Sequence, residues 1–349
     1  MRPNRAERGV SANRPYTLSI HSRKEGQVLA GSVFYLVALL LGLSLMAFEV
    51  DAASSGEPIE PLPQNIQLDS GKIALGERLF HDPRLSGNNT IACASCHPIA
   101  KGGMDNMPLS VGINGQLGII NTPTVFNSGF AFSQFWDGRA VTLEEQIEGP
   151  FNNPIEMDGD WSEVILKLRS DSAYRQEFTR LYSGGISRTN IKEAIATYER
   201  SLITPNAPFD RYLRGEKNAI SAGQKRGYQL FKSYGCSSCH QGRLVGGNLY
   251  EKMGIVHEYF TEERAGGDAD LGRFSVTGDE HHRHHFKVPS LRNIARTAPY
   301  FHDASATKLK QAVTDMGYYQ LGLTLPDESV ADIVSFLRSL TGELPGVSR

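Results

Sequence analysis

Two clusters in the sequence combine thiols with imidazole at fixed spacing, Cys93-Ala94-Ser95-Cys96-His97 and Cys236-Ser237-Ser238-Cys239-His240, and together they use all four cysteines of the chain. Two thiols three positions apart can form thioether bonds to a haem, and the adjoining histidine can bind its iron from the same stretch of backbone. Zinc and disulfides are the competing chemistries for paired cysteines. Neither accounts for a histidine directly after each pair, and the pairs stand too far apart for a zinc ribbon. The spacing predicts two covalent haem c groups, one held by Cys93, Cys96 and His97, the other by Cys236, Cys239 and His240.

Helices must lead the chain into these motifs. Gly76-Glu77-Arg78-Leu79-Phe80 precedes the first and Gly227-Tyr228-Gln229-Leu230-Phe231 the second, with apolar residues three and four apart. Ser70 and Ser221 are the expected N-caps. The echo continues downstream. Pro123-Thr124-Val125-Phe126-Asn127 parallels Pro289-Ser290-Leu291-Arg292-Asn293, Phe135-Trp136-Asp137 parallels Phe301-His302-Asp303, and Leu143 and Ile147 parallel Leu309 and Val313. A constant offset then pairs Met316 with Pro150. A cytochrome haem commonly takes a downstream Met as its second axial ligand. Met316, expected at a helix end, can serve the second haem, whereas Pro150 has no donor atom. The repeat therefore predicts one closed His/Met haem and one with an open face.

Residues 161–200 read as helical, with Val164, Ile165 and Leu168 on one face and Ile191, Ala194, Ile195 and Tyr198 on another. A last helix is expected from Leu325-Pro326-Asp327, ended by Gly342. No long period-2 run occurs. The expected fold is mainly α, with two c-type cytochrome domains related by an internal repeat and one covalent haem each. The boundaries are 63–207 for an N-terminal domain with the open haem and 208–349 for a C-terminal electron-transfer domain with the closed haem.

A Pro-rich linker, 53–62, precedes them. Residues 1–52 carry Arg2, Arg5, Arg8, Arg14, Arg23 and Lys24 ahead of an apolar run from Val28 to Phe48, then Val50-Asp51-Ala52. That is the grammar of a cleaved signal peptide, with an uncleaved membrane anchor as the alternative. Both place the body outside the cytoplasm, in the bacterial periplasm where haem c is attached. Charged residues make up 21% and the net charge is −2, so no nucleic-acid partner is implied.

With these residues in view, everything after residue 60 resembles the bacterial diheme cytochrome c peroxidases. The carriers are the first haem motif, Asn121-Thr122-Pro123-Thr124-Val125-Phe126-Asn127, Gln134-Phe135-Trp136-Asp137-Gly138-Arg139 and Glu145-Gln146. Asn153-Pro154-Ile155-Glu156-Met157, Ala298-Pro299-Tyr300-Phe301-His302 and Met316 with Gln320-Leu321-Gly322 complete the set. The resemblance implies that Gln146 and Glu156 are the distal polar pair over the peroxide-reacting haem, and that Trp136 relays electrons between the haems. It also implies an interdomain calcium at Asn121 with the backbone of Thr297 and Pro299. The implied substrate is hydrogen peroxide, the electron donor a small cytochrome c or cupredoxin, and the usual assembly a homodimer. A membrane partner follows only if the N-terminal segment is uncleaved.

The departure is Ile113, where well-known members have a histidine that caps the resting iron until the other haem is reduced. The related diheme enzyme that matures tryptophan tryptophylquinone also lacks this cap, but has a tyrosine where Met316 stands. The expected function is thus a cytochrome c peroxidase that needs no reductive activation. A diheme oxidase of protein side chains is one alternative. A pure electron carrier, with Met104 or Met157 on the first iron, is the other. The run His281-His282-Arg283-His284-His285 reads as a solvated loop, and His302 as structural.

Overall fold

Side-chain caps and two glycine-lined helix crossings set the architecture. The computed structural model describes residues 56–261 and 266–344, so the expected signal or anchor (1–52) lies outside the described residues. The helices up to residue 201 are α1 (Ser70–Phe80), α2 (Cys93–Cys96), α3 (Leu143–Gln146), α4 (Glu148–Asn152), α5 (Trp161–Ser170), α6 (Ser172–Leu181) and α7 (Arg188–Ser201). They are followed by α8 (Pro208–Leu213), α9 (Ala222–Ser233), α10 (Phe274–Thr277), α11 (Leu309–Leu321) and α12 (Asp327–Arg338). Two short strands absent from the sequence reading, β1 (Tyr250–Lys252) and β2 (His285–Lys287), pair antiparallel. The described residues are thus mainly helical, and none of their helices is long and apolar enough to cross a membrane.

Ser221 caps α9 as expected, accepting the Gln224 N–H while the Gln224 side chain returns a bond to its own N–H. Ser70 does not cap α1. Asp69 does, its carboxylate accepting the Lys72 N–H at 3.0 Å, and the charge favours the helix N-terminus. Gly342 does not stop α12, which ends at Arg338 with Ser339 as its cap. Met316 lies inside α11 rather than at its end.

Helix α1 crosses α7 at Gly76, where a Cβ would stand 1.9 Å from the Ala194 carbonyl oxygen and 2.8 Å from Tyr198 Cβ. Helix α9 crosses α12 at Gly227, where a Cβ would stand 1.9 Å from the Asp332 carbonyl oxygen and 2.9 Å from Phe336 Cβ. Only glycine allows either approach. The first crossing anchors a core drawn from residues between Leu75 and Leu202. The second anchors another, drawn from residues between Phe209 and Leu340 together with Ile59 of the Pro-rich segment.

One buried hydroxyl connects the two. Thr204 Oγ1 accepts from Asn127 Nδ2 at 2.9 Å and from Asn293 Nδ2 at 3.0 Å. Both asparagines have left-handed backbone (φ 62° and 60°), and each opens a single 3-10 turn, Ser128–Phe130 or Ile294–Arg296. Their amide oxygens accept from Thr204 N (2.9 Å) and Gly342 N (3.1 Å) respectively. All three side chains are buried. Thr204→Val keeps the volume but leaves two buried amide donors without an acceptor, each worth about 1–3 kcal/mol. Denaturant unfolding should therefore show a loss of about 2–6 kcal/mol; unchanged stability would mean that water already satisfies these groups.

Candidate active site

Each cysteine pair sits in one turn of helix, α2 for the first and the 3-10 turn Cys236–Ser238 for the second. All four thiols are free and half-buried. His97 Nδ1 lies 3.0 Å from the Gly103 carbonyl oxygen and His240 Nδ1 3.2 Å from that of Val245. A carbonyl takes the Nδ1 proton, so Nε2 carries the free lone pair that a metal needs. Burial lowers the proton affinity of both rings, that of His240 to about 4, so both are neutral at physiological pH. Free paired thiols beside a neutral histidine of fixed tautomer fit covalent haem at both motifs.

The segment 110–117 folds back on residues 155–156. The Ile113 N–H donates to the Glu156 carbonyl oxygen at 2.8 Å. A Cβ on Gly112 would meet the Ile155 carbonyl oxygen at 2.0 Å, so the contact requires glycine. Ile113 is buried at 2% exposure. The carboxylate of Glu156 accepts from Asn153 Nδ2 at 2.7 Å. Burial raises its pKa, opposed by that bond and by the Arg139 charge. It lies close enough to the first motif to act on Cys96, whose thiol burial pushes up to about 11 with the Asp105 and Glu156 charges adding. Gln146 is half-buried at the end of α3, and among the described residues no hydrogen bond joins it to Glu156. Pro150, in α4, has no N–H for the Gln146 carbonyl, and the helix is interrupted between Gln146 and Glu148, whereas α11, which carries Met316, runs unbroken.

Helix α11 delivers Met316 into an aromatic cluster of Met253, Tyr259, Phe260 and Phe286 that also includes Trp136, Phe301 and Tyr319. Trp136 therefore shares a cluster with the thioether, although it comes from the first half of the sequence. Its Nε1–H donates to the Asn121 carbonyl oxygen at 2.8 Å, and its carbonyl accepts from Lys287 N at 2.7 Å. His302 is buried beside it, 6.3 Å between ring centroids, with Nε2 2.8 Å from Asp270 Oδ1. Among His281, His282, His284 and His285, the first is fully solvated, but His284 stacks on Phe260 at 4.0 Å and His285 lies in β2.

Asn121 is buried with its side-chain nitrogen 2.8 Å from the Pro299 carbonyl oxygen and 3.0 Å from that of Phe301, while its Oδ1 has no partner. An amide flip exchanges these atoms. Three oxygens would then converge, a hard donor set that suits calcium. Thr297 is buried nearby, its hydroxyl bonded to the Ile294 carbonyl oxygen at 3.3 Å.

The family model for di-haem cytochrome c peroxidases matches residues 70–218. The cytochrome c551 peroxidase of Nitrosomonas europaea is 44% identical over 89% of this chain and 92% of its own length. The chain belongs to the di-haem cytochrome c peroxidase family. As a member it is a haem oxidoreductase of the cytochrome-c peroxidase class and carries two haem c groups. The cytochrome c peroxidase Ccp of Escherichia coli is 50% identical over 82% of this chain, which spans 61% of that relative's length. Among solved structures, a MauG-like protein associated with microbial copper homeostasis is similar with a TM-score of 0.71 and 28% identity, over 84% of this chain and 95% of that one.

Replacing Cys93 and Cys96 together by serine should halve the covalent haem per chain in a pyridine haemochrome assay. Retention of both haems, or loss of both, would contradict two independent attachment sites.

Proposed function

We propose that the protein is a periplasmic peroxidase that reduces hydrogen peroxide to water with electrons from a small cytochrome c or cupredoxin, and that it does so without prior reductive activation. The observation that carries this reading is Ile113. The residue is buried, its amide is fixed on the Glu156 carbonyl, and its side chain has no atom that binds iron. The first haem would be held by Cys93, Cys96 and His97, the second by Cys236, Cys239, His240 and Met316; when bound they supply one-electron redox chemistry and, at the first, an iron face open to peroxide.

The reaction consumes two electrons and two protons for each hydrogen peroxide and yields two waters. Glu156 takes the proton from one peroxide oxygen and returns it to the departing one. Asn153 fixes Glu156 Oε1, which leaves Oε2 for this transfer. Gln146 orients peroxide by hydrogen bonding. Trp136 relays electrons from the Met316 side; its anchor on Asn121 and its place in the Met316 cluster support that role. Calcium at Asn121, Thr297 and Pro299 would hold the same strand of contacts together, and the orphaned Asn121 Oδ1 supports it. The two haem domains are proposed to be repeats, supported by the matched backbone at Asn127 and Asn293 and at Phe135 (φ 68°) and Phe301 (φ 72°). Electron carriage alone is less well supported, because Met104 and Met157 are buried at 1% and 5% exposure, Met157 within the first core.

As a base Glu156 must be ionised, so the reaction with peroxide slows as pH falls through its raised pKa. In rapid mixing, the fully oxidised protein should react with peroxide before any reductant is added. Glu156→Gln should lower that rate by about 10²–10⁴-fold and abolish the acid limb, with both haem spectra intact. A wild-type protein inert until half-reduced, or an unimpaired Glu156→Gln, would overturn the assignment.

A further inference from the structure

Helix α7 turns a carboxylic acid into the first core. Glu199 is 5% exposed, and its Oε2 is buried with no hydrogen-bond partner. The preceding residue, Tyr198, packs over Gly76 where α7 crosses α1; at the corresponding crossing of α12 with α9, Phe336 packs over Gly227. The residue after Phe336 is Leu337, 4% exposed and part of the second core. One position of one helix crossing thus holds an apolar side chain in one half and a carboxyl in the other. Packing does not require the acid, and an unpaired buried carboxylate is destabilising.

Burial pushes the Glu199 pKa up to about 8, with Arg200 opposing and Glu144 adding. Arg200 gives little relief, because it is engaged with both oxygens of Glu144 at 2.8 Å. The other titratable groups around it are Cys93 of α2, on whose thiol the Glu199 charge acts, and Tyr198 of its own helix, which also feels Glu77 of α1. Once Cys93 is a thioether it no longer titrates. Glu199 is then a buried acid among the helix residues Ile195, Tyr198 and Leu202, whose core Cys93 packs against.

We propose that Glu199 is the redox-linked proton group of the first haem, taking up one proton when that haem gains an electron and releasing it when the electron leaves. The electron comes from a one-electron reductant, here the electrode of a titration, and lowers the charge of the first haem by one. The proton comes from solvent and forms an O–H bond on the Glu199 carboxylate. Removing one positive charge from a weakly polarisable core strengthens proton binding at the nearby acid, and by reciprocity the proton favours the electron. The inference rests on haem attachment at Cys93 and Cys96, not on the peroxide step.

Spectroelectrochemical titration of each haem in the intact holoprotein, between about pH 5 and pH 9, tests this. The first-haem potential should fall with pH, up to about 59 mV for each tenfold drop in proton concentration, while the second stays level. Glu199→Gln and Glu199→Leu, the latter copying Leu337, should flatten the slope. Reduced-minus-oxidised infrared spectra of the wild-type protein should show a carboxylic-acid band that Glu199→Gln lacks. A slope that survives either substitution, or a wild-type spectrum without that band, would overturn the proposal. Failure of the peroxidase reading would differ, appearing as absent peroxide turnover with these potentials intact.

Discussion

The shared hydroxyl of Thr204 is the constraint on which the remaining geometry depends. It accepts one side-chain amide from each half, Asn127 and Asn293, in a region closed to water. Each asparagine starts the backbone turn that leads to the next functional segment, Gln134–Arg139 in one case and Tyr300–Asp303 in the other. The bonds therefore set the register in which Trp136 meets the aromatic cluster around Met316. Desolvation makes the arrangement specific, because either amide left unpaired in that position would be destabilising.

If the two halves are repeats, as proposed, they differ at a few positions, and the proposed chemistry rests on those differences. Met316 stands inside an unbroken helix, whereas Pro150 interrupts hydrogen bonding along its counterpart. Trp136 and His302 lie side by side, one bound to a backbone carbonyl and the other to Asp270. Leu337 is matched by Glu199. Met316 and Glu199 each stand opposite a residue, Pro150 or Leu337, whose side chain can carry neither a metal bond nor a proton. A repeat that had kept both halves alike would give two electron carriers or two open sites.

Much of this was legible in the sequence because the signals are local. Cys-x-x-Cys-His spacing identifies haem attachment within five residues, and a constant offset between Phe135 and Phe301 singles out Met316, which packs in the cluster with Trp136. Ile113 was visible as a departure, although its bond to the Glu156 carbonyl was not. What escaped depends on contacts between distant segments. Glu199 follows Tyr198 on a helix face that read as ordinary core, and only three-dimensional burial distinguishes it from a solvated glutamate. Thr204 sits in a connecting segment with no periodicity, and its two partners are far away in sequence. The α1 cap shifted from Ser70 to Asp69 because both residue types cap well, and one carboxylate bond decided between them. The strands β1 and β2 are three residues each, too short for an alternating pattern.

The proposed mechanism requires one closed and one open iron in the resting, fully oxidised protein. Electron paramagnetic resonance of that state tests it most directly. The account predicts one low-spin signal from the haem ligated by His240 and Met316, and one high-spin ferric signal from the haem ligated by His97 alone among side chains. Two low-spin signals, integrating to both irons, would contradict it.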